Sequence, residues 1–197
     1  MKIIGVTGNS GSGKTTICEI ISSISNAKII DADEVAKSLD FPGSEYVNKI
    51  AELFGNEVLN SSGSLNRKKL GEFIYTNVSN KLELDKLTFK YVGGEVSKKL
   101  EILKSEELDY IVLDVPLLFE SELDNLCDYV IAVTASTDKK VQRIQNRDNI
   151  DENTARQRLA IQKDDDFFYR NSDFVIENNG DRELIQNSIE RILENIK

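Results

Sequence analysis

The residues best suited to chemistry form a glycine-rich segment near the N-terminus, residues 8–15 (GNSGSGKT), which we call the P-loop. This segment matches the pattern GxxxxGK(S/T), whose glycines let the backbone adopt positive φ angles and approach phosphate oxygens closely. Successive N–H groups can then surround an anion, while Lys14 neutralises the β- and γ-phosphates and the Thr15 hydroxyl coordinates Mg²⁺. The sequence therefore predicts a site for ATP and Mg²⁺, formed by Gly11, Ser12, Gly13, Lys14, Thr15 and Thr16.

Acidic side chains at two places are candidates for accepting a proton and for binding the metal ion. Asp31 and Asp33 follow a short apolar run, where one of them can accept the proton of an attacking hydroxyl and either can cap the next helix. We favour Asp33 as the catalytic acceptor. Asp114 ends a further apolar run, at the sheet edge where ligands of α/β folds bind. We consider Asp114 either a water-mediated Mg²⁺ contact or a strand-end acid with a structural role.

The charged region 137–166 offers arginines for the transferred phosphate. Most charged helix faces are simply solvated, but phosphoryl transfer needs a cation that neutralises developing charge. A helical lid that closes over ATP would supply such a cation and exclude water. The candidates are Arg143, Arg147, Arg156 and Arg158, of which we favour Arg147. The adjacent acids 164–166 point in different directions on a helix, so we interpret them as solvated rather than as a metal site.

The order of the predicted elements indicates an α/β fold. Apolar runs typical of buried strands occupy residues 2–7, 27–30, 109–115, 128–134 and 172–177. The first two runs flank the P-loop and a predicted helix at 14–25, which together make a βαβ unit with a parallel sheet. Residues 33–106 carry helical patterning instead. The sequence thus predicts one α/β domain with a helical excursion from its sheet.

Composition and charge exclude several classes of function. The chain has 197 residues, 40% of them hydrophobic, and its net charge of −9 argues against binding nucleic acid or a membrane surface. Histidine is absent, which excludes Ser-His-Asp triads, HExxH zinc sites and the HRD loop of protein kinases. A general base must then be a carboxylate, a lysine or a tyrosine. With two dispersed cysteines and no signal peptide or long apolar run, we expect a cytoplasmic protein.

A P-loop alone does not distinguish a kinase from a GTPase. Residues 40–43 match the GTPase pattern DxxG and residues 80–83 nearly match NKxD, but neither follows a predicted strand, so we interpret both as chance. The residues favour a small-molecule kinase, but they leave two other functions open. The first is a kinase for another small molecule or nucleoside monophosphate, and the second is a catalytically silent nucleotide-binding protein.

The sequence resembles the dephospho-coenzyme A kinase family along nearly its whole length. The resemblance rests on seven segments: 3–16 with the P-loop, 31–37 (DADEVAK), Pro42-Gly43, 53–75, 112–121 (VLDVPLLFES), 143–162 and 172–180. It implies a P-loop kinase with a three-layer αβα core, a five-stranded parallel sheet, a helical substrate-binding insertion and a helical lid. It also implies transfer of the γ-phosphoryl group of ATP to the ribose 3′-hydroxyl of dephospho-CoA, which yields coenzyme A and ADP.

The resemblance further implies roles for particular parts of the chain. The core would comprise about 1–32, 107–136 and 170–197, the CoA-binding insertion about 33–106, and the lid about 137–169. The implied roles are a catalytic acid at Asp33, lid residues Arg147 and Gln162, an adenine-side residue Asn178 and a substrate-side residue Arg67. Two positions depart from the family pattern, since Phe89-Lys90 replaces a His-Pro pair and Phe168 replaces a basic residue. The expected partner is a small-molecule substrate, bound by a monomer or a weak homo-oligomer.

Overall fold

A single parallel sheet lies at the centre of the fold. The computed structural model describes the backbone of residues 1–197 and every side chain except those of Tyr75 and Thr76. The strands are β1 (Lys2–Thr7), β2 (Ala27–Asp31), β3 (Tyr110–Asp114), β4 (Tyr129–Thr134) and β5 (Phe174–Glu177). They are arranged in the order β2-β3-β1-β4-β5, and β1 pairs in parallel with both β3 and β4, as β4 does with β5. The predicted α/β fold with a five-stranded parallel sheet is confirmed.

The helices follow the predicted pattern in most of the chain. They are α1 (Lys14–Ile24), α2 (Ala32–Leu39), α3 (Glu45–Phe54), α4 (Arg67–Thr76), α5 (Val78–Leu103), α6 (Thr137–Asp148), α7 (Glu152–Ala160), α8 (Asp165–Asn171) and α9 (Arg182–Asn195). The region 137–166 is divided into several helices because its own polar residues end and restart them. Asn149 ends α6 in a left-handed conformation with φ 51°, and the side chains of Asp151 and Asp164 cap α7 and α8.

The chain divides into two compact units, and the first contains residues 1–30 and 103–197. Its core includes a cluster of buried apolar residues in which Ile17 of α1 and Ile189 of α9 pack with Val6 of β1 and Val133 of β4. Strands β3 and β4 are almost wholly buried, which explains their near-continuous apolar runs. The predicted lid, 137–169, belongs to this unit, and its separation from the core stays a prediction.

The second unit contains residues 31–102 and has a core of its own. Val47 and Ile50 of α3 and Leu70 of α4 form its centre, and Leu84 and Leu87 of α5 pack against them. Helix α5 runs without interruption through Gly93-Gly94. Among the described residues, no helix combines the length and the apolar character needed to cross a membrane.

Candidate active site

The P-loop connects the end of β1 to the start of α1 at Lys14. Gly11 and Gly13 have φ angles of 75° and 96°. A side chain at either position would also collide with its surroundings: a Cβ on Gly11 would lie 2.5 Å from the carbonyl oxygen of Lys140, and a Cβ on Gly13 would lie 2.1 Å from Nδ2 of Asn178. Glycine is therefore required by both the backbone conformation and the packing.

The N-terminus of α1 has the features of an anion site. Gly13 offers no side chain to cap the helix, and the first turn contains no acidic residue. The first N–H groups of a helix lack intrahelical acceptors and carry the positive end of the helix dipole. Lys14 Nζ donates a hydrogen bond to the carbonyl oxygen of Gly8 at 2.9 Å, which keeps the ammonium group at the P-loop. These features together suit the phosphates of a nucleotide.

Arg143 and Asn178 both contact the P-loop through its carbonyl oxygens. Arg143 Nη1 donates to the carbonyl oxygens of Gly11 and Ser12, each at 3.0 Å. Asn178 is only 4% exposed, and its Nδ2 donates to the same Ser12 oxygen at 2.9 Å. The predicted adenine-side residue is thus placed against the P-loop backbone, and a contact of Asn178 with the base stays a prediction.

Arg147 lies at the rim of the P-loop, and its role in neutralising phosphate stays a prediction. Its Nη2 donates to the Ser10 hydroxyl at 3.2 Å, and its Nε and Nη2 donate to the two carboxylate oxygens of Asp148 at 2.8 and 2.9 Å. The Arg147 guanidinium, and to a lesser extent that of Arg158, holds the pKa of Asp148 below its usual range. Arg156 pairs with carboxylates of its own region instead. Of the four candidate arginines, the structure brings Arg143 and Arg147 to the P-loop.

The end of α7 also contacts the P-loop, through the glutamine predicted to lie in the lid. Gln162 Oε1 accepts a hydrogen bond from the backbone N–H of Ser10 at 2.9 Å. One residue further, the carbonyl oxygen of Lys163 accepts a hydrogen bond from Asn9 Nδ2 at 2.8 Å. Gln162 therefore occupies a P-loop N–H group of the kind that binds phosphate.

Asp114 and Thr15 are the side chains that fit a magnesium ion. Asp114 ends β3, is 7% exposed and pairs in register with Val6, so its carboxylate lies at the sheet edge where the P-loop begins. Thr15 is exposed in the first turn of α1. Carboxylate and hydroxyl oxygens are the ligands that Mg²⁺ prefers, and such an ion in a kinase is held largely by the phosphates and by water. A cluster of three or more acidic or soft ligands is not found among the described residues.

The two acids after β2 have separate tasks. Asp31 is the N-cap of α2, since its Oδ1 accepts hydrogen bonds from the N–H groups of Asp33 and Glu34 at 2.8 and 3.1 Å. The carboxylate of Asp33 is exposed in the first turn of the helix. The alternative role of a helix cap is therefore filled by Asp31, which leaves Asp33 available for chemistry.

The second unit contains a cavity of about 420 Å³ that includes Asp33 and Arg67 in its lining. Arg67 forms an ion pair with Asp40 in this wall. The hydroxyl groups of Tyr46 and Thr88 lie 3.0 Å apart beside it. Burial of the ring raises the pKa of Tyr46 above its usual value, against the opposing effect of the Thr88 contact. The cavity offers cationic, anionic and hydroxyl groups to a polar ligand.

Sequence reasoning missed Asp40, Tyr46 and Thr88 in this wall and the contacts of Arg143. Tyr46, Asp40 and Thr88 come from different helices and loops and belong to no local motif. The helical period places them on inward faces but does not separate a ligand-facing residue from a core residue. Of the family departures, Phe168 is buried and its ring packs edge-on against Phe167 at 5.6 Å.

Comparisons with known proteins agree with this geometry. The family model described as dephospho-CoA kinase matches residues 2–183. A dephospho-CoA kinase of Bacillus cereus is 36% identical over 178 residues, which cover 90% of this chain and 88% of the relative. A solved dephospho-CoA kinase from Campylobacter jejuni superimposes with a TM-score of 0.69 at 28% identity and covers 98% of this chain and 96% of its own. A Thermus thermophilus structure, at 23% identity and a TM-score of 0.82, covers 100% of this chain and 98% of its own and shares the fold.

Proposed function

This chain belongs to the dephospho-CoA kinase family, and we propose that its P-loop, Arg147 and Asp33 carry the ATP-dependent phosphorylation of the ribose 3′-hydroxyl of dephospho-CoA. The observation that carries the proposal is the geometry of the P-loop. Its backbone enters α1 at Lys14 without a cap or an acidic residue, next to the guanidinium of Arg147. That combination binds and neutralises a triphosphate and has no use in a purely structural turn.

The reaction is an in-line transfer in which the protein contributes position and charge. The 3′-oxygen of the acceptor bonds to the γ-phosphorus of ATP, the bond from that phosphorus to the β–γ bridging oxygen breaks, and ADP leaves with the electron pair. The carboxylate of Asp33 receives the proton of the hydroxyl. Lys14 and Arg147 stabilise the charge that spreads over the phosphoryl oxygens in a loose transition state.

The side chains of Thr15 and Asp114 would hold Mg²⁺, Thr15 directly and Asp114 through water. When bound, the ion supplies further positive charge to the β- and γ-phosphates. The buried position of Asp114 at the end of β3 and the exposed hydroxyl of Thr15 support this assignment. Binding of the acceptor would use the cavity of the second unit, where Arg67 offers a cation to its diphosphate. We further expect a cytoplasmic protein that acts as a monomer or a weak homo-oligomer.

The proposal is tested by measuring ADP release from ATP and Mg²⁺ with dephospho-CoA and with a panel of nucleoside monophosphates and small-molecule alcohols. We expect ADP release that depends on dephospho-CoA, with coenzyme A as the product in mass spectrometry. Faster release with another acceptor would assign a different substrate. ATP binding without transfer to any acceptor would show a catalytically silent relative, and either result would contradict the proposal.

A further inference from the structure

The two terminal nitrogens of the Arg143 guanidinium donate to oxygens of the P-loop and of Asn178. Its Nη1 donates to the carbonyl oxygens of Gly11 and Ser12, each at 3.0 Å. Its Nη2 donates to the backbone oxygen of Asn178 at 3.0 Å and to the side-chain Oδ1 of the same residue at 3.1 Å. The four N–H bonds of the two terminal nitrogens thus have four protein acceptors, in the fork geometry that only arginine offers.

The Ser12 carbonyl oxygen is the point where these contacts converge. It accepts hydrogen bonds from Arg143 Nη1 and from Asn178 Nδ2, at 3.0 and 2.9 Å. A trans peptide unit is planar, and its N–H points away from its C=O. Two donors that hold the Ser12 oxygen therefore fix the direction of the Gly13 N–H, which points to the opposite side of the loop. That N–H leads directly into the N-terminus of α1.

We infer that Arg143 is a positioning residue for the triphosphate of ATP, which it serves by orienting the Gly13 N–H through the Ser12 carbonyl with Asn178 as its partner. This inference rests on the proposed function only in that ATP is the nucleotide bound. Arg143 differs in this role from Arg147, whose guanidinium donates to the side-chain hydroxyl of Ser10 at the rim of the loop. Arg143 thus acts on binding of the ground state and Arg147 on the transition state.

The inference is tested with Arg143→Gln and Arg143→Lys, and with Arg191→Gln on the exposed side of α9 as a matched control. The measurements are the Kd for ADP in the presence of Mg²⁺, the KM for ATP, the KM for dephospho-CoA and kcat. Arg143→Gln removes charge-assisted hydrogen bonds, so we expect the Kd for ADP and the KM for ATP to rise by about 10- to 100-fold. We expect kcat at saturating ATP to fall by less than about 10-fold and the KM for dephospho-CoA to stay within about twofold.

Arg143→Lys should recover part of the affinity, because an ammonium can still donate to the Gly11 and Ser12 oxygens but not to all four acceptors. An ADP affinity equal to that of the wild type in Arg143→Gln would overturn the inference. A large loss of kcat with unchanged ADP affinity would overturn it as well, because that pattern belongs to a transition-state cation. ADP titration needs no acceptor, so the result stands even if dephospho-CoA proves to be the wrong substrate.

A second variant covers the case in which Arg143→Gln does not fold. Asn178→Ala removes the other donor to the Ser12 oxygen, and we expect the Kd for ADP to rise by about 5- to 10-fold. Because both side chains hold one carbonyl, the combined variant Arg143→Lys/Asn178→Ala should differ from the product of the single effects. Strictly multiplicative effects on ADP affinity would show that the two side chains act separately and would contradict the inference.

Discussion

The two units of the molecule offer ligands very different kinds of surface. In the first unit the P-loop presents backbone N–H groups from one contiguous segment, and side chains such as Arg143 hold that backbone from its carbonyl side. In the second unit the residues that line the cavity are scattered over several helices, among them Tyr46, Arg67 and Thr88 on α3, α4 and α5. A site made of backbone has a strict local sequence pattern, whereas a site made of scattered side chains has none.

This difference decides how much of the protein can be predicted from its sequence. The strands, the P-loop and the catalytic candidate Asp33 follow from apolar runs, glycine spacing and strand-end acids, because each depends on neighbours in the chain. The breaks within 137–166 were missed because Asn149 and Asp151 differ from ordinary charged helix residues only through their backbone and capping contacts. The contacts of Arg143 with residues 11 and 12 span 132 and 131 positions of the chain and its contact with Asn178 spans 35, so no local spacing indicates them.

Among the variants that compare the two units, Arg147→Gln in the first unit should have the largest effect on activity. Since this variant removes the cation at the rim of the P-loop, we expect kcat to fall by about 10³-fold while the Kd for ADP changes little. Arg156→Gln is the matched control, because Arg156 pairs with Glu152 and Asp138 in the same charged region. Steady-state kinetics and ADP titration of both variants provide the measurement. Equal losses of kcat in the two variants would show that the total positive charge of this region matters, rather than the position of Arg147.

The next largest effect should come from Asp33→Asn, which removes the proposed proton acceptor in the second unit. We expect kcat to fall by at least about 10²-fold while ADP affinity, a property of the first unit, stays near that of the wild type. Glu34→Gln is a close control, since Glu34 is an exposed carboxylate in the same first turn of α2. Unchanged turnover in Asp33→Asn would remove this residue from catalysis.

A smaller effect is expected from Arg67→Met, which removes the cation from the wall of the cavity. Arg67 is exposed and already paired with Asp40, so solvent and that carboxylate weaken its contribution to ligand binding. We expect the KM for dephospho-CoA to rise by about 5- to 10-fold and the KM for ATP to stay unchanged. The control is Lys69→Met in the same turn of α4, outside the cavity lining. A similar rise in that control would mean that net charge, not the cavity, attracts the acceptor.

The smallest effects concern the stability of the two units, compared through one helix cap in each. In the second unit Ser44 is 6% exposed, accepts a hydrogen bond from the Val47 N–H at 3.1 Å and donates one to the Leu39 oxygen at 2.7 Å. Ser44→Ala should therefore lower the free energy of unfolding by about 1–2 kcal/mol. In the first unit, Asp151 caps α7 from an exposed position. Asp151→Ala should therefore lower the free energy of unfolding by less than Ser44→Ala does. Urea unfolding at neutral pH, followed by circular dichroism, compares the two.

The stability effects of Ser44→Ala and Asp151→Ala should differ further at low pH, because the carboxylate of Asp151 can be protonated and the hydroxyl of Ser44 cannot. Hydrogen bonds from Thr154 hold the pKa of Asp151 below its usual range, so its capping contribution is present above the unfolded-state pKa and is lost as the pH falls through the folded-state pKa. The stability difference between wild type and Asp151→Ala should therefore shrink in acid, while that of Ser44→Ala persists. A pH-independent difference for Asp151→Ala would show that the aspartate acts through its shape and not through its charge.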